Sequence, residues 1–482
     1  MGSVIDNART KKKCQIFTPK SIVTKMLNVA GYRKNVIGKR VLENSCGNGQ
    51  FLTQIVERYI RDAICKNFSC DDIRSGLEQD IVAYEIDEAL IYTCKERLNK
   101  IASRYNVMNV SWNIHCCNFL TKDDGESYDY IIGNPPYIAY PDLPEVDRRE
   151  IRKTFLTCKK GKFDYSYAFI EKSLSLLAPK GKLVYIIPSN IFKNVFAEEL
   201  RKLLKEDLKI IIDFPQDRIF DGVLVSPAVI LTQKGNKTDG LRYTKVVGKE
   251  QKTTTISKEK LAGKWIFESI ETEGKRLGDY FKVSNSIATL CNKVFVLKDG
   301  AFDGDFYCVG NDRIERTLLK ETTGPKSSRY ADGKKEYIIF PYYYDDSGKL
   351  CHYTEKEMRK KFPYAIKYLS KHKTKLKNRD ADQLAKWYEY GRSQGLRDIG
   401  RKTIMISSVI SDDTKAYQLE ENVIPYSGFC ITPTGQISLE TLLTELNSKK
   451  FKKYISRVGV SVSGSSKRIT TKDIENYVFK VQ

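Results

Sequence analysis

From about residue 40, short apolar runs alternate with longer stretches in which apolar residues recur every three or four positions. KRVLENS (39–45) predicts a strand and GQFLTQIVERYIRDAI (49–64) a helix. DIVAYEID (80–87) and EALIYTCKERLNKIASRY (88–105) repeat that pair. VSWNIHCCNF (110–119) and YDYIIGN (128–134) predict two further strands, SYAFIEKSLSLLA (166–178) a helix, and GKLVYIIPSNIF (181–192), after a PKG turn, another strand. Strands alternating with helices predict an α/β fold with a doubly wound, mostly parallel sheet, whose ligands sit at the carboxyl ends of the strands. CKNFSCDDIRSGLEQD (65–80) exceeds what one helix and a tight turn need, and reads as an inserted loop or short helix. Residues 141–163 are charged with little periodicity, which suits a mobile lid and a solvated connection equally. After VSPAVILTQKGNKTDG (225–240) the rhythm fades. The expected division is therefore 1–245 and 246–482, the second part a mixed α+β domain.

The length of 482 residues suits two domains. The net charge is +22, unevenly spread: residues 1–240 carry 37 basic against 30 acidic side chains, residues 241–482 carry 45 against 30. Such an excess suits a polyanionic partner, most commonly nucleic acid. No apolar signal core follows Met1 and no stretch approaches the roughly 18 apolar residues of a membrane span, so a cytoplasmic protein without a membrane partner is expected. Twelve cysteines without a CxxC pair and three scattered histidines support neither a zinc site nor a disulfide framework, and no metal is expected.

The strand tips carry the candidate chemistry. VLENSCGNGQFL sets Glu43 at a strand end and Gly47 and Gly49 in the turn before a helix, where glycine lets backbone approach a ligand closely. The next strand ends in Glu85-Ile86-Asp87: a carboxylate there can accept both hydroxyls of a ribose, and Ile86 can cover an adenine face. The third ends in Asn118-Phe119. No P-loop lysine follows the glycines, which disfavours a triphosphate. S-adenosylmethionine fits better, with Glu43 serving its ammonium.

The fourth strand ends in Asn134-Pro135-Pro136-Tyr137. Exocyclic amines of adenine and cytosine are poor nucleophiles because their lone pair is delocalised into the ring. Two acceptors aimed at the two N–H bonds free that pair, and the Asn134 side-chain oxygen and the Pro135 carbonyl can be those acceptors. Proline stiffens the loop and adds no competing donor. Tyr137 offers a stacking face and Phe220 is the candidate for the opposite one. A base in a duplex reaches such a pocket only when flipped out, which costs a few kcal/mol. Stacking worth about 1 to 3 kcal/mol per base offsets part of this.

In this order the motifs resemble the γ group of amino-methylating DNA methyltransferases of restriction-modification systems, which have the class I S-adenosylmethionine-dependent fold and a target-recognition domain placed last. The resemblance spans roughly residues 15–235. It implies that Phe17, Thr18 and Pro19 touch the methionine end of the cofactor. Glu43, Gly47 and Gly49 match the glycine motif, Glu85 the ribose-binding acid, and Phe169 an aromatic lining the adenine pocket. Ile86, Asn118 and Phe119 complete the cofactor set, Asn134 to Tyr137 are the catalytic tetrapeptide, and Phe220 falls where the family has its second stacking ring. Asn at the head of the tetrapeptide implies N6-adenine. Asn118 replaces the usual Asp, and Asn44 replaces the proline that usually follows the acid.

The second half resembles, more loosely, the specificity domains of these systems, through VSNSIATLCNKVFVL (283–297) and WYEYGRSQGL (387–396). The basic, tyrosine-bearing stretch 359–379 between them suits phosphate contacts to double-stranded DNA. Lys360, Lys361, Lys371, Lys373 and Lys375 are the expected contacts, and Arg392 and Gln394 can read guanine and adenine edges. The motifs begin near residue 15 and leave no room for a preceding nuclease, so methylation without cutting is expected, with a separate cognate restriction endonuclease as a further partner. Rival acceptors are RNA adenine and a protein glutamine amide. A non-catalytic DNA-binding specificity protein is the rival from another class.

Overall fold

The computed structural model describes residues 17–122, 125–215, 219–220, 226–271, 273–325, 335–396, 399–434, 437–463 and 465–479. They form two compact units, residues 1–267 and 268–482.

The first unit is built on nine strands: β1 (Val41–Glu43), β2 (Ile81–Glu85), β3 (Asn113–Cys116), β4 (Tyr128–Gly133), β5 (Leu177–Pro188), β6 (Leu208–Asp213), β7 (Pro227–Gln233), β8 (Gly240–Val247) and β9 (Glu250–Ser257). Their order is β3-β2-β1-β4-β5-β7-β6-β8-β9. The first five pair in parallel, and β7 runs antiparallel between β5 and β6. Successive side chains of a strand point to opposite faces, and the two faces bury separate cores. Leu42, Val82, Tyr84, Ile131, Leu183 and Tyr185 enter one; Val41, Ile81, Ala83, Ile132, Val184 and Ile186 enter the other. Burial on both faces is why these strands read as continuous apolar runs. Truncating Leu183 to alanine would cost about 2 to 5 kcal/mol, since nothing around a fully buried leucine collapses into the gap.

The helices that matter for the cleft are α1 (Lys20–Ala30), α2 (Gln50–Cys65), α3 (Cys70–Asp80), α4 (Glu88–Ser103), α5 (Glu145–Thr154) and α6 (Ser166–Ser175). The inserted segment proves to be a full helix, α3, started by a capping box between Ser69 and Asp72. Residues 141–163, expected as a lid or a solvated connection, contain α5, which buries only Asp147 and Ile151. Two buried positions in ten leave almost no periodicity in the sequence.

The first unit runs past the expected boundary at 245. β8 pairs with β6, and β9 with β8. Trp265 then stacks on Phe192 at 6.0 Å and donates its backbone N–H to the Phe192 carbonyl at 2.7 Å. β9, EQKTTTIS, is an exposed edge strand, so it has no apolar signal to read.

The second unit is mixed α+β. One four-stranded sheet orders 281–285, 429–433, 403–406 and 417–419; another orders 296–297, 336–339, 319–323 and 424–425. Helices at 355–361, 363–371 and 373–377 pack on a core that includes Phe295, Ile338, Ile339, Met358, Leu369 and Tyr390.

Candidate active site

A cleft opens at the carboxyl ends of β1, β2 and β4, where the expected residues Phe17, Thr18, Glu43, Gly47, Glu85, Ile86, Asn118, Phe119, Asn134, Pro136 and Phe169 converge.

The glycine turn shapes one wall. Gly47 (φ +52) and Gly49 (φ +81) are both left-handed. A Cβ on Gly49 would also lie 2.5 Å from Cys94 Sγ, so only glycine fits. The Gly49 N–H closes the turn on the Cys46 carbonyl at 2.8 Å, and Arg97 Nη1 holds the Asn48 carbonyl at 2.8 Å. Gly47 donates its N–H to Glu85 Oε2 at 2.9 Å, while Ile86 and Asp87 donate theirs to Glu85 Oε1 at 2.8 and 3.0 Å. A carboxylate has about four acceptor positions. Three are taken by backbone, which leaves one for a ligand hydroxyl where the sequence suggested two.

Glu43 is buried, 2% exposed, and its Oε2 has no hydrogen-bond partner among the described residues. Burial raises its carboxyl well above the ordinary range, with Cys94 and Glu85 adding to the rise and the Leu52 N–H opposing it. A buried acid with an open acceptor suits an incoming cation, which would restore its charge. Asn44, the departure beside it, is absorbed structurally: its Nδ2 donates to Ser173 Oγ at 2.9 Å and to the Tyr185 hydroxyl.

The opposite wall is aromatic. Phe119 lies 5.5 Å from Phe169, and Phe169 lies 5.2 Å from Tyr165. Asn118 accepts the Leu120 N–H at 3.0 Å and points its Nδ2 at the Tyr165 hydroxyl, 3.4 Å away. Its oxygen is thus already shared with backbone. Tyr165, four residues before Phe169, escaped the sequence reading, although that spacing puts both on one side of a helix.

The tetrapeptide follows β4. Asn134 Nδ2 donates to Thr18 Oγ1 at 3.2 Å, and Ser45 Oγ donates to the Asn134 carbonyl at 3.0 Å, so the segment is held from both the 17–19 stretch and the glycine turn. Pro135 is buried and Pro136 lines the cleft. The Tyr137 hydroxyl contacts Asn134 Oδ1 and the Ile186 carbonyl. Its hydroxyl is thus directed at the head of the tetrapeptide, and the residue is half-buried. Behind it, Asp164 accepts from Ser166 N–H at 3.0 Å and Ser166 Oγ at 2.6 Å, and burial pushes its carboxyl up to about 6. Pro19 does not line the cleft; its carbonyl accepts the first N–H groups of α1. Phe220 is not brought to the cleft either. It is 4% exposed within the core that holds Phe214 and Ile212, because a large aromatic ring gains most by leaving water for the nearest interior.

In the second unit the basic stretch divides. Lys360, Lys361 and Lys375 are exposed, Lys361 lying over the Tyr353 ring and Lys373 over Trp387. Lys371 pairs with Asp312. Arg392 is bound to Asp382 at 2.9 Å and Asp380 at 3.0 Å, partners within the same unit. Arg379, counted in the basic stretch, donates to the carbonyls of Leu376, Thr289, Trp387 and Glu389 and is structural. Gln394 is exposed and lines a separate groove. Among the described residues no group of three metal-ligating side chains gathers, and no helix is long and apolar enough to cross a membrane.

Residues 51–220 match the family described as Eco57I restriction-modification methylase. The type II restriction enzyme and methyltransferase RM.Eco57I of Escherichia coli is 25% identical over 332 residues, 60% of this chain and 33% of that protein. Type II methyltransferase M.HincII of Haemophilus influenzae is 29% identical over 250 residues, 51% of this chain and 42% of the relative. M.BstVI of Geobacillus stearothermophilus is 25% identical over 420 residues, 76% and 71% of the two chains. The chain thus spans about a third of RM.Eco57I and two fifths of M.HincII. Among solved structures, the type IIL restriction-modification enzyme MmeI in complex with DNA aligns with a TM-score of 0.58 at 13% identity, covering 95% of this chain and 64% of that one. The DrdV–DNA complex aligns at 0.52 and 13%, covering 94% and 53%. The resemblance to restriction-modification methyltransferases holds, and the first unit has the class I S-adenosylmethionine-dependent methyltransferase fold.

Proposed function

We propose that the chain is a site-specific DNA adenine-N6 methyltransferase that uses S-adenosylmethionine and acts on a flipped-out base in double-stranded DNA. The observation that carries this reading is the convergence of Asn134 and Pro136 with Glu43, Gly47 and Glu85 on one cleft. An amide able to polarise an amine beside a pocket suited to a nucleoside is the arrangement this chemistry needs.

The residues fit the cofactor: the open Glu43 Oε2 faces where an ammonium group is needed, the last Glu85 position suits a ribose hydroxyl, and Ile86, Phe119, Tyr165 and Phe169 form an apolar slot for adenine. When bound, S-adenosylmethionine supplies an electrophilic methyl group on a sulfonium. The chain's own part is to position and polarise. Asn134 Oδ1 and the Pro135 carbonyl accept the two N–H bonds of the adenine amine, which localises its lone pair. Tyr137 stacks on the base. The proton shed by the methylated amine passes to water, so no general base is needed. Positioning supplies most of the acceleration. The lysines of the second unit bind the DNA backbone, and a separate endonuclease would complete a restriction pair.

The test is Asn134→Ala with labelled cofactor. Turnover on DNA falls by about 10² to 10³, as for loss of one preorganised polar contact, while cofactor binding stays within about twofold. Label entering RNA or protein but not DNA, with the wild-type chain, would overturn the reading.

A further inference from the structure

Outside glycine, φ is positive at seven described residues: four asparagines, Lys180, Leu290 and Ser427. Asparagine visits this region readily because its short amide bonds to local backbone, whereas for a bulky residue it is an outlier. Leu290 (φ +54) and Ser427 (φ +64) line the same groove of the second unit, beside Gly428 (φ +89). Strain in the described part of that unit is gathered at one place.

Hydrogen bonds hold the loop there. The Thr289 carbonyl accepts the Gly391 N–H at 3.2 Å and the Arg379 guanidinium; Thr289 Oγ1 accepts the Cys291 N–H at 3.0 Å; Asn292 Nδ2 donates to Ser427 Oγ at 3.1 Å. What this secures is an apolar side chain 44% exposed, leaning over Gly391, where a Cβ would lie 2.6 Å from Leu290 Cδ1. A loop that needed only to turn would place glycine or asparagine at 290. Leucine kept at a strained, half-exposed position points to a use for the side chain.

The groove's other side chains indicate that use. Lys293 and Lys375 are cationic, Gln394 is an amide, and all three are exposed. Cations beside an amide and one apolar tip match a DNA groove, which presents phosphates, base edges and, on thymine, a methyl group. Resting on the DNA reading above, we infer that Leu290 is a specificity-determining residue that packs on a thymine methyl in the recognised sequence.

The test is selection of bound duplexes from a random library by the wild-type chain and by Leu290→Asn, with thermal unfolding of both. The wild type enriches a sequence containing a thymine, and uracil in its place weakens binding about fourfold, the effect of one buried methyl. Leu290→Asn unfolds at the same temperature or about 2 to 4 °C higher, because strain is relieved, and is indifferent to that substitution. A variant that unfolds well below the wild type shows a packing residue and overturns the inference. Unchanged discrimination by a stable variant overturns the inference alone. A wild-type chain that enriches no sequence overturns the DNA reading with it.

Discussion

The Tyr137 hydroxyl lies against Asn134 Oδ1, with the Ile186 carbonyl on its other side. The atom assigned to polarise the substrate is thus already met by a phenol from the same tetrapeptide. On the proposed mechanism the phenol leaves when the base arrives. Tyr137→Phe keeps the ring and loses the hydrogen bond. Its expected cost is about 1 kcal/mol of stability, with turnover retained and KM for DNA unchanged or lower. Tyr137→Ala removes the stacking surface and raises KM by about tenfold or more. Equal inactivity of both in steady-state kinetics would place the hydroxyl itself in the chemistry.

Glu43 links stability to cofactor affinity in opposite senses. Its folded carboxyl is held well above the usual range by burial, then Cys94 and Glu85. An acid raised on folding contributes stability that is present below its unfolded pKa, about 4.3, and lost as pH rises toward the folded value. Glu43→Gln without cofactor is expected to be the more stable form at neutral pH. It should bind S-adenosylmethionine about 10- to 100-fold more weakly, through loss of a charged hydrogen bond. Calorimetric titration and unfolding at pH 7 check the two halves.

Asp164 adds a second source of pH dependence. Burial pushes its carboxyl up to about 6, against roughly 3.9 in an unfolded chain. Its contribution is therefore complete below about pH 4 and is lost as pH rises through about 6. Asp164→Asn should flatten the slope of Tm against pH between about 4 and 6. A slope between pH 4 and 6 identical in wild type and variant would show that Asp164 is not its source.

The basic stretch of the second unit should separate by salt dependence. Removing one phosphate contact lowers the slope of log K against log salt by about one. Lys360→Ala and Lys375→Ala are expected to do so. Arg392→Ala, which breaks the pairs with Asp380 and Asp382, should lower Tm and leave the slope of the folded fraction unchanged. DNA-binding isotherms at several salt concentrations distinguish the two behaviours.

Much of the first unit was legible. The central parallel strands β1, β2, β4 and β5 are buried on both faces, so their apolar runs stand out, and β1, β2 and β4 end at Glu43, Glu85 and just before Asn134, where α/β sheets bind ligands. What escaped had weak or absent periodicity: α5, with two buried positions, and β9, exposed along most of its length. The division after Phe267 followed from β9, which pairs with β8, and from Trp265 packing on Phe192, a contact between residues more than seventy positions apart.

By itself the sequence determined which side chains stand at the strand tips, because residue order along a strand and the turn after it are local properties. Only the tertiary structure decided how those groups are spent. Glu85 gives three acceptor positions to backbone, Arg392 and Lys371 are taken by nearby carboxylates, Phe220 goes to the interior, and Tyr137 turns onto Asn134. Each outcome depends on which donors, acceptors and cavities distant segments bring within about 3 to 4 Å, a range at which hydrogen bonds and ion pairs form and about which spacing along a chain is silent.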